Sequence, residues 1–393
     1  MRMLFTTQPG VSHLRSLVTV AEAALRLGHT VAVAAPEPFH ADIEPYGLEA
    51  LAAGHDWRPE IQARREEQLR MIKEGAGTSE DGMGASMVAQ VFAGESARRM
   101  AIDLLALAPS WRPDVVVREP LEFGGCLAAE VLGIPHVSVG VNGGVAALNR
   151  RLPPAVIEAH RAALGLPPDP HLTALCGALH ANLMPAAYDP AELEIPTARC
   201  YRHTNPGQVG EELPGWVGDL PDDRPLVFAA MGTFFHIVPG RMEAMIAALA
   251  ELECTAIIAV GAGKDVAGFG PQPPHLRLVE WIAQPLLLEC CDLFVTHGGF
   301  NSVRESLRLG VPLVVVPVTG DQPYNAARCA EVGVARALPG TASPAALRDA
   351  CREVLEDPGF RRRARALQRQ ILALPPPETL IRDIEALVAV GSS

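Results

Sequence analysis

His297-Gly298-Gly299 stands where an apolar strand pattern, residues 293–296, runs into a helical pattern over 300–309. A glycine pair opening a helix lets backbone N–H groups approach an anion, and the helix dipole favours negative charge there. Ser302 adds a hydroxyl donor, and His297 adds a donor that can be charged. Together these groups suit a phosphate or diphosphate. Trp281, at the end of an earlier strand pattern, offers a flat face for a nucleobase. Glu305, one helical turn past Ser302, can accept hydrogen bonds from ribose hydroxyls. Asp321 and Gln322 follow the next strand pattern, where they can read the hydroxyls of a sugar. Singly, each feature is ordinary: a glycine pair is usually a tight turn, a tryptophan usually packs, and Asp-Gln is a common helix start. Their order on consecutive strand ends carries the weight.

A second candidate lies near the N-terminus. A strand pattern over 3–7 is followed by the turn Gln8-Pro9-Gly10 and by His13 at the start of a helix over 13–27. An imidazole titrates near neutrality, which suits general-base work. On residue type alone, a histidine at a helix start most often has no such task.

These residues need strand ends and helix starts to hold them. Strand 3–7, helix 13–27 closed by Gly28, and strand 30–35 make a βαβ unit, which calls for a parallel sheet. Strand 114–117, helix 126–132 closed by Gly133, and strand 135–139 repeat the rhythm. It restarts with strands at 226–230, 255–260, 276–279, 293–296 and 312–317, and helices at 239–252 and 300–309. Residues 56–97 break the alternation and read as an insertion over the sheet. Ligand contacts and plain packing helices fit that insertion equally well. Residues 204–224, rich in Pro, Gly and acid, read as an interdomain linker. The expected division is therefore a first domain at 1–203, the linker at 204–224, a second domain at 225–375 and a final helical segment at 376–393, left free to dock back on the first domain. Two such domains imply a cleft at the carboxyl ends of both sheets, where ligands of open α/β folds sit.

The 393 residues carry 33 Lys+Arg against 45 Asp+Glu, a formal net charge of −12. Only two lysines occur, Lys73 and Lys264. Such a chain is a poor partner for nucleic acid or an anionic membrane. The eight cysteines are scattered without a Cys-x-x-Cys pair, as free thiols in a reducing cytoplasm would be. Pro9 and Gly10 interrupt the N-terminus before a signal-peptide core can form, and no apolar run is long enough for a membrane span. The expectation is a cytoplasmic protein.

The run Trp281-Ile-Ala-Gln284, then Thr296-His-Gly-Gly-Phe-Asn-Ser302, Glu305, Gly310-Val-Pro312 and Asp321-Gln322 resembles the donor-binding signature of family 1 UDP-glycosyltransferases in spacing and order. The wider resemblance spans nearly the whole chain and is strongest to the shorter bacterial enzymes that glycosylate polyketides and related natural products. It implies an α/β fold of the GT-B type, with two Rossmann-like domains facing across a deep cleft. It also implies roles. Trp281 would stack the base, with Gln284 and Glu305 also binding the nucleoside. His297, Gly298, Gly299, Asn301 and Ser302 would hold the diphosphate. Thr233, in a Met231-Gly232-Thr233 loop, would add a phosphate contact. Asp321 and Gln322 would bind the transferred sugar.

By the same resemblance His13, in Pro-Gly-x-x-His, becomes the general base. The family orients that histidine with an acid, usually Asp, from the loop after a later strand. Here Asp114 lies at the wrong end of its strand, so Glu119 is the better candidate and Glu122 the second. The implied reaction is inverting and metal-independent, with no cofactor. It moves a sugar or deoxysugar from a TDP- or UDP-sugar to a hydroxyl of an apolar aglycone. Met71, Met83, Met87, Phe92 and Asn142 are the acceptor-pocket candidates. Phe300 stands where plant members commonly have Trp, which loosens any inference about the sugar. A homodimer is left open. The rivals are a GT-B-like sugar-nucleotide epimerase and a non-catalytic glycosyltransferase partner. A NAD-dependent Rossmann enzyme is weaker, because no Gly-x-Gly-x-x-Gly follows the first strand.

Overall fold

Strand β1 (Arg2–Thr6) is buried at Met3, Leu4 and Phe5, so both of its faces are covered, as a central parallel strand requires. It pairs in parallel with β2 (Thr30–Ala35) on one side and β4 (Val115–Arg118) on the other. The full order is β3 (Glu49–Ala52), β2, β1, β4, β5 (His136–Val139), β6 (Leu179–Asn182) and β7 (Ala198–Cys200), all parallel. The order reverses between β1 and β4, so the loops leaving these two strands flank a topological switch point, where open α/β sheets bind ligands. Thr6 pairs with Arg118 at their ends.

The computed structural model describes residues 1–62, 87–204, 211–232 and 240–391. They divide into two units. The first is Met1–Ala186, Pro190–Pro206 and Leu374–Ser393; the second is Ala187–Asp189 and Gly207–Ala373. In the first unit, helix α1 (Val11–Arg26) lays Leu14, Leu17, Val18 and Ala21 on the core that Phe5, Val33 and Val117 share from the sheet. The last helix of the chain, Pro377–Gly391, adds Leu380, Ile381 and Ile384 to that core, all fully buried. Each such side chain stabilises by about 1.5–3 kcal/mol. Arg26–Glu378 (2.7 Å), His29–Glu385 (2.9 Å) and the Tyr201 hydroxyl on Asp383 (2.5 Å) fix its position.

Two details depart from the sequence reading. The later part of the presumed insertion is a π-helical turn, Val88–Ser96, kinked at Gly94, that runs straight into helix α2 (Ala97–Trp111). It leads the crossover from β3 to β4 and so belongs to the alternation. The presumed linker is also shorter than 204–224, because Gly215–Val217 folds as a short helical turn within the second unit. The guanidinium of Arg277 holds the Trp216 ring there, 4.1 Å from its centroid.

The second sheet orders β10 (Leu276–Val279), β9 (Thr255–Ala259), β8 (Leu226–Ala230), β11 (Leu293–Thr296), β12 (Leu313–Val315) and β13 (Ala335–Ala337), again all parallel. Its switch point lies between β8 and β11. Helix α3 (Phe300–Leu309) follows β11, and helix α4 (Gln322–Glu331) follows β12. Among the described residues, no helix is long and apolar enough to cross a membrane.

Candidate active site

The first unit brings His13 and Glu119 together. β1 ends at Thr6, the turn through Gly10 reverses the chain, and His13 sits in the first turn of α1. Glu119 is the first residue past β4. Its Oε1 lies 3.0 Å from His13 Nδ1, with the carboxylate fully buried and the imidazole 19% exposed. Its Oε2 accepts the Leu121 N–H at 2.6 Å. A carboxylate at Nδ1 takes the N–H there and leaves the ring's lone pair on Nε2. The ring can then accept a proton while the carboxylate stabilises the resulting imidazolium.

Glu122 does other work. Its oxygens accept the Thr6 hydroxyl (2.5 Å) and the N–H groups of Gly124 (2.7 Å) and Gly125 (2.9 Å). It thereby closes the N-terminus of the helix Gly124–Leu132. Burial pushes its carboxyl above the ordinary range, while the Thr6 bond and the charge of Arg118 pull the other way.

Three residues of this region went unread in the sequence. Arg118 is buried and donates to the carbonyls of Glu119 (3.1 Å), Pro120 (3.2 Å), Glu122 (2.9 Å) and Leu175, so it shapes the loop that carries Glu119. Gln8 donates to the Leu121 carbonyl (2.9 Å) and accepts from Trp57 Nε1 (2.8 Å). Gln8 and Trp57 are far apart in the chain, so nothing in their spacing announces the pair. The Trp57 ring packs on Phe92 at 5.3 Å, and the edge of Phe92 meets His13 at 6.4 Å.

Phe92, an acceptor-pocket candidate, is only 2% exposed, packed against Trp57 and an apolar cluster beside His13. Met87 is partly buried against the same cluster. Asn142 stands past the end of β5, its Nδ2 donating to the Gly143 carbonyl (3.3 Å). Met71 and Met83 lie outside the described residues, as does Thr233.

In the second unit, the turn after β11 presents His297, Gly298 and Gly299 at the N-terminus of α3. Gly299 is the N-cap of that helix, and a glycine there brings no side-chain cap of its own to an end that favours an anion. His297 is buried. Burial alone pushes its pKa down to about 4, which favours the neutral ring at pH 7. A Cβ on Gly232 would lie 2.4 Å from its Cε1, and one on Gly299 would lie 2.5 Å from its Nε2. The imidazole therefore fits a space that only glycines leave.

Gln284 and Glu305 meet directly, Nε2 to Oε2 at 2.6 Å, which fixes one oxygen of a buried carboxylate. Trp281 is 58% exposed, an unusual state for so large an apolar ring and the state that stacking a base requires. The Asn301 side-chain Oδ1 accepts from Arg304 in its own helix, and Arg304 lies over the Phe300 ring at 5.0 Å. Asn301 is thus tied along the helix. Ser302 is buried in the first turn. Gln322 Oε1 accepts the N–H groups of Val318 (2.8 Å) and Thr319 (3.2 Å), closing the loop after β12, and Asp321 caps α4 beside it.

Two parallel α/β sheets, each with a switch point, form the architecture of a GT-B glycosyltransferase. Comparison with known proteins agrees. The erythromycin biosynthesis protein CIII-like models match over most of the chain, the N-terminal domain at residues 23–190 and the C-terminal domain at 243–387. The chain belongs to this glycosyltransferase family. It is 28% identical to the tylactone mycaminosyltransferase of Streptomyces fradiae, over 99% of this chain and 93% of that one. It is 27% identical to the 3-alpha-mycarosylerythronolide B desosaminyl transferase of Saccharopolyspora erythraea, over 99% of both. Among solved structures it is similar to the spinosyn rhamnosyltransferase SpnG complexed with thymidine diphosphate, with TM-score 0.77 and 25% identity over 98% of this chain and 100% of that one. The fold also matches glycosyltransferase VinC, with TM-score 0.79 and 23% identity over 99% of this chain and 100% of that one.

Proposed function

We propose that this glycosyltransferase moves a deoxysugar from a thymidine-diphosphate sugar to a hydroxyl of an apolar natural-product aglycone, with inversion and without a metal ion. The observation that carries the reading is the His13–Glu119 pair at the β1/β4 switch point. His13 Nε2 takes the proton of the acceptor hydroxyl, and Glu119 stabilises the imidazolium. The oxygen attacks the anomeric carbon from the face opposite the leaving diphosphate, which inverts the centre. The N–H groups at the start of α3 and the neutral His297 receive the charge that develops on that diphosphate. Trp281 stacks the base, Glu305 accepts from the nucleoside sugar, and Asp321 and Gln322 hold the transferred sugar. A thymidine nucleotide is favoured over uridine because the relative SpnG is complexed with thymidine diphosphate and another relative is named a TDP-daunosamine transferase. The relatives named for tylactone and for 3-alpha-mycarosylerythronolide B support a natural-product aglycone here.

A panel of TDP- and UDP-sugars against polyketide aglycones, read by mass spectrometry, tests the substrates. His13→Ala tests the base: turnover should fall by about a thousandfold, with TDP affinity unchanged. Turnover near the wild-type rate would remove His13 from the mechanism. Loss of wild-type turnover in EDTA, restored by a divalent cation, would overturn metal independence.

A further inference from the structure

Asn325 lies one helical turn beyond Asp321 on α4 and is fully buried. Its Nδ2 donates to the carbonyl of Gly298 at 2.9 Å and to Asp321 Oδ2 at 3.0 Å. Both amide hydrogens are therefore spent on two acceptors from two different strand-end loops. The opposite amide orientation would turn Oδ1 toward a carbonyl and a carboxylate, so the network admits one orientation only.

The Gly298 bond has a geometric consequence. Across a trans peptide, the carbonyl of one residue and the N–H of the next point in opposite directions in one plane. Holding the Gly298 oxygen toward Asn325 therefore fixes the Gly299 N–H pointing the opposite way, out from α4. Gly298 has φ +84, and a Cβ there would lie 2.5 Å from Val315 Cγ1 and 3.5 Å from the Gln322 carbonyl, so the turn is also wedged between β12 and α4. The second bond orients one oxygen of Asp321, the carboxylate that opens α4.

We propose that Asn325 is a positioning residue for sugar transfer. It locks the peptide that carries the Gly299 N–H and the carboxylate of Asp321 in one mutual register, so the leaving diphosphate and the transferred sugar are aligned by a single buried amide. The proposal rests on the reading that the β11–α3 turn binds the diphosphate and Asp321 the sugar. No other side chain of this size does the same: Asp has the shape but lacks both donors, and Ala lacks the atoms.

Asn325→Asp keeps the shape and removes both donors. TDP affinity, measured by calorimetry, should fall by about tenfold, and the KM for the sugar donor should rise by more than that, because the donor also loses an oriented Asp321. The KM for the acceptor should stay within about twofold. A purely structural role would lower the melting temperature and leave both donor parameters alone, and that result overturns the proposal. If Asn325→Asp does not fold, Asn325→Ser supplies the same comparison with one donor retained, and its donor KM should still rise by at least about threefold. His297→Ala and Glu305→Gln serve as controls for the site. If they weaken TDP binding while the Asn325 variants do not, the positioning role alone fails. If none of them weakens it, the donor site itself has been misread.

Discussion

The two sheets reverse their strand order at equivalent places, yet they furnish those places in opposite ways. At β1/β4 the chain buries charge: Glu119 and Glu122 as carboxyls and Arg118 as a guanidinium. At β8/β11 it buries a neutral imidazole, with the half-buried glycines Gly232 and Gly299 packed against His297. Burying ions costs several kcal/mol each unless they are paired and hydrogen-bonded, and the first switch point supplies those partners from Thr6 and from backbone N–H and carbonyl groups. At His297 the second avoids the cost, and the carboxylate it does bury, Glu305 one turn into α3, is met by Gln284. Under the proposed roles the difference follows from the chemistry. Moving a proton needs a titratable group held by a charge, whereas receiving a diphosphate needs N–H donors that approach closely and bring no counter-charge of their own. A net charge of −12 and two lysines therefore say little about binding a small anion.

The largest test of this contrast is acid. His297 titrates at about 4 in the fold and His136, beside Arg118, at about 3, both against 6.5 for an unconstrained histidine. Burial is the main cause at each, and the charge of Arg118 adds to it at His136. Between 6.5 and the folded values the unfolded chain binds more protons than the fold, so stability rises with pH across that window. Acidifying from pH 6.5 to 4 should remove stability on the order of 3 kcal/mol at His297, and His136 should extend the loss to about pH 3. Denaturant titrations at pH 7, 5.5 and 4.5 check this, and His297→Gln should flatten the upper part of the curve. A curve that stays flat from pH 6.5 to 4.5 would mean that His297 is charged in the fold, and the contrast would collapse.

A smaller effect probes the packing of the neutral site. Gly232 has φ +69, and an added methyl would meet His297 at 2.4 Å. Gly232→Ala therefore strains the backbone and displaces the ring together, at a cost of about 1–3 kcal/mol. TDP affinity should fall by about tenfold or more, while the pH dependence set by His13 stays put. Unchanged TDP binding would show that the ring's position is irrelevant to the donor.

How much of this was legible depended on whether the signal was local. β11, α3 and the glycine pair could be read because an apolar run, a Gly-Gly and a helical period sit next to one another. The α1 histidine stood out only through the family resemblance, since a histidine at a helix start is otherwise ordinary. β3, β7 and β13 escaped because short strands at or near sheet edges carry no long apolar run; β3, for instance, is partly exposed throughout. The partners of the site escaped for a different reason. Trp57 finds Gln8, Arg118 finds Leu175 and Asn325 finds Gly298 only once the sheets have formed. That an acid orients His13 came from the family resemblance, and the strand position served only to set Asp114 aside for Glu119. The burial that neutralises His297 is a property of the packed fold and left no mark on the sequence.

The mildest perturbation belongs to the charged switch point. Gly10 precedes α1 with φ −145 and ψ 126, a conformation any residue can adopt, so a side chain there brings no backbone strain. A methyl would touch His13 Cδ2 at 3.1 Å and lie 3.9 Å from its Nε2. That is close enough to tilt the imidazole by a few tenths of an ångström about its bond to Glu119, and too far to expel it. Gly10→Ala should therefore lower kcat by about 2–5-fold, because proton transfer is steep in distance and angle, with melting temperature and TDP affinity unchanged. The same methyl that costs about tenfold in donor binding at Gly232 should cost none at Gly10. If Gly10→Ala weakened TDP instead, the assignment of proton transfer to one switch point and diphosphate binding to the other would fail at its most sensitive residue.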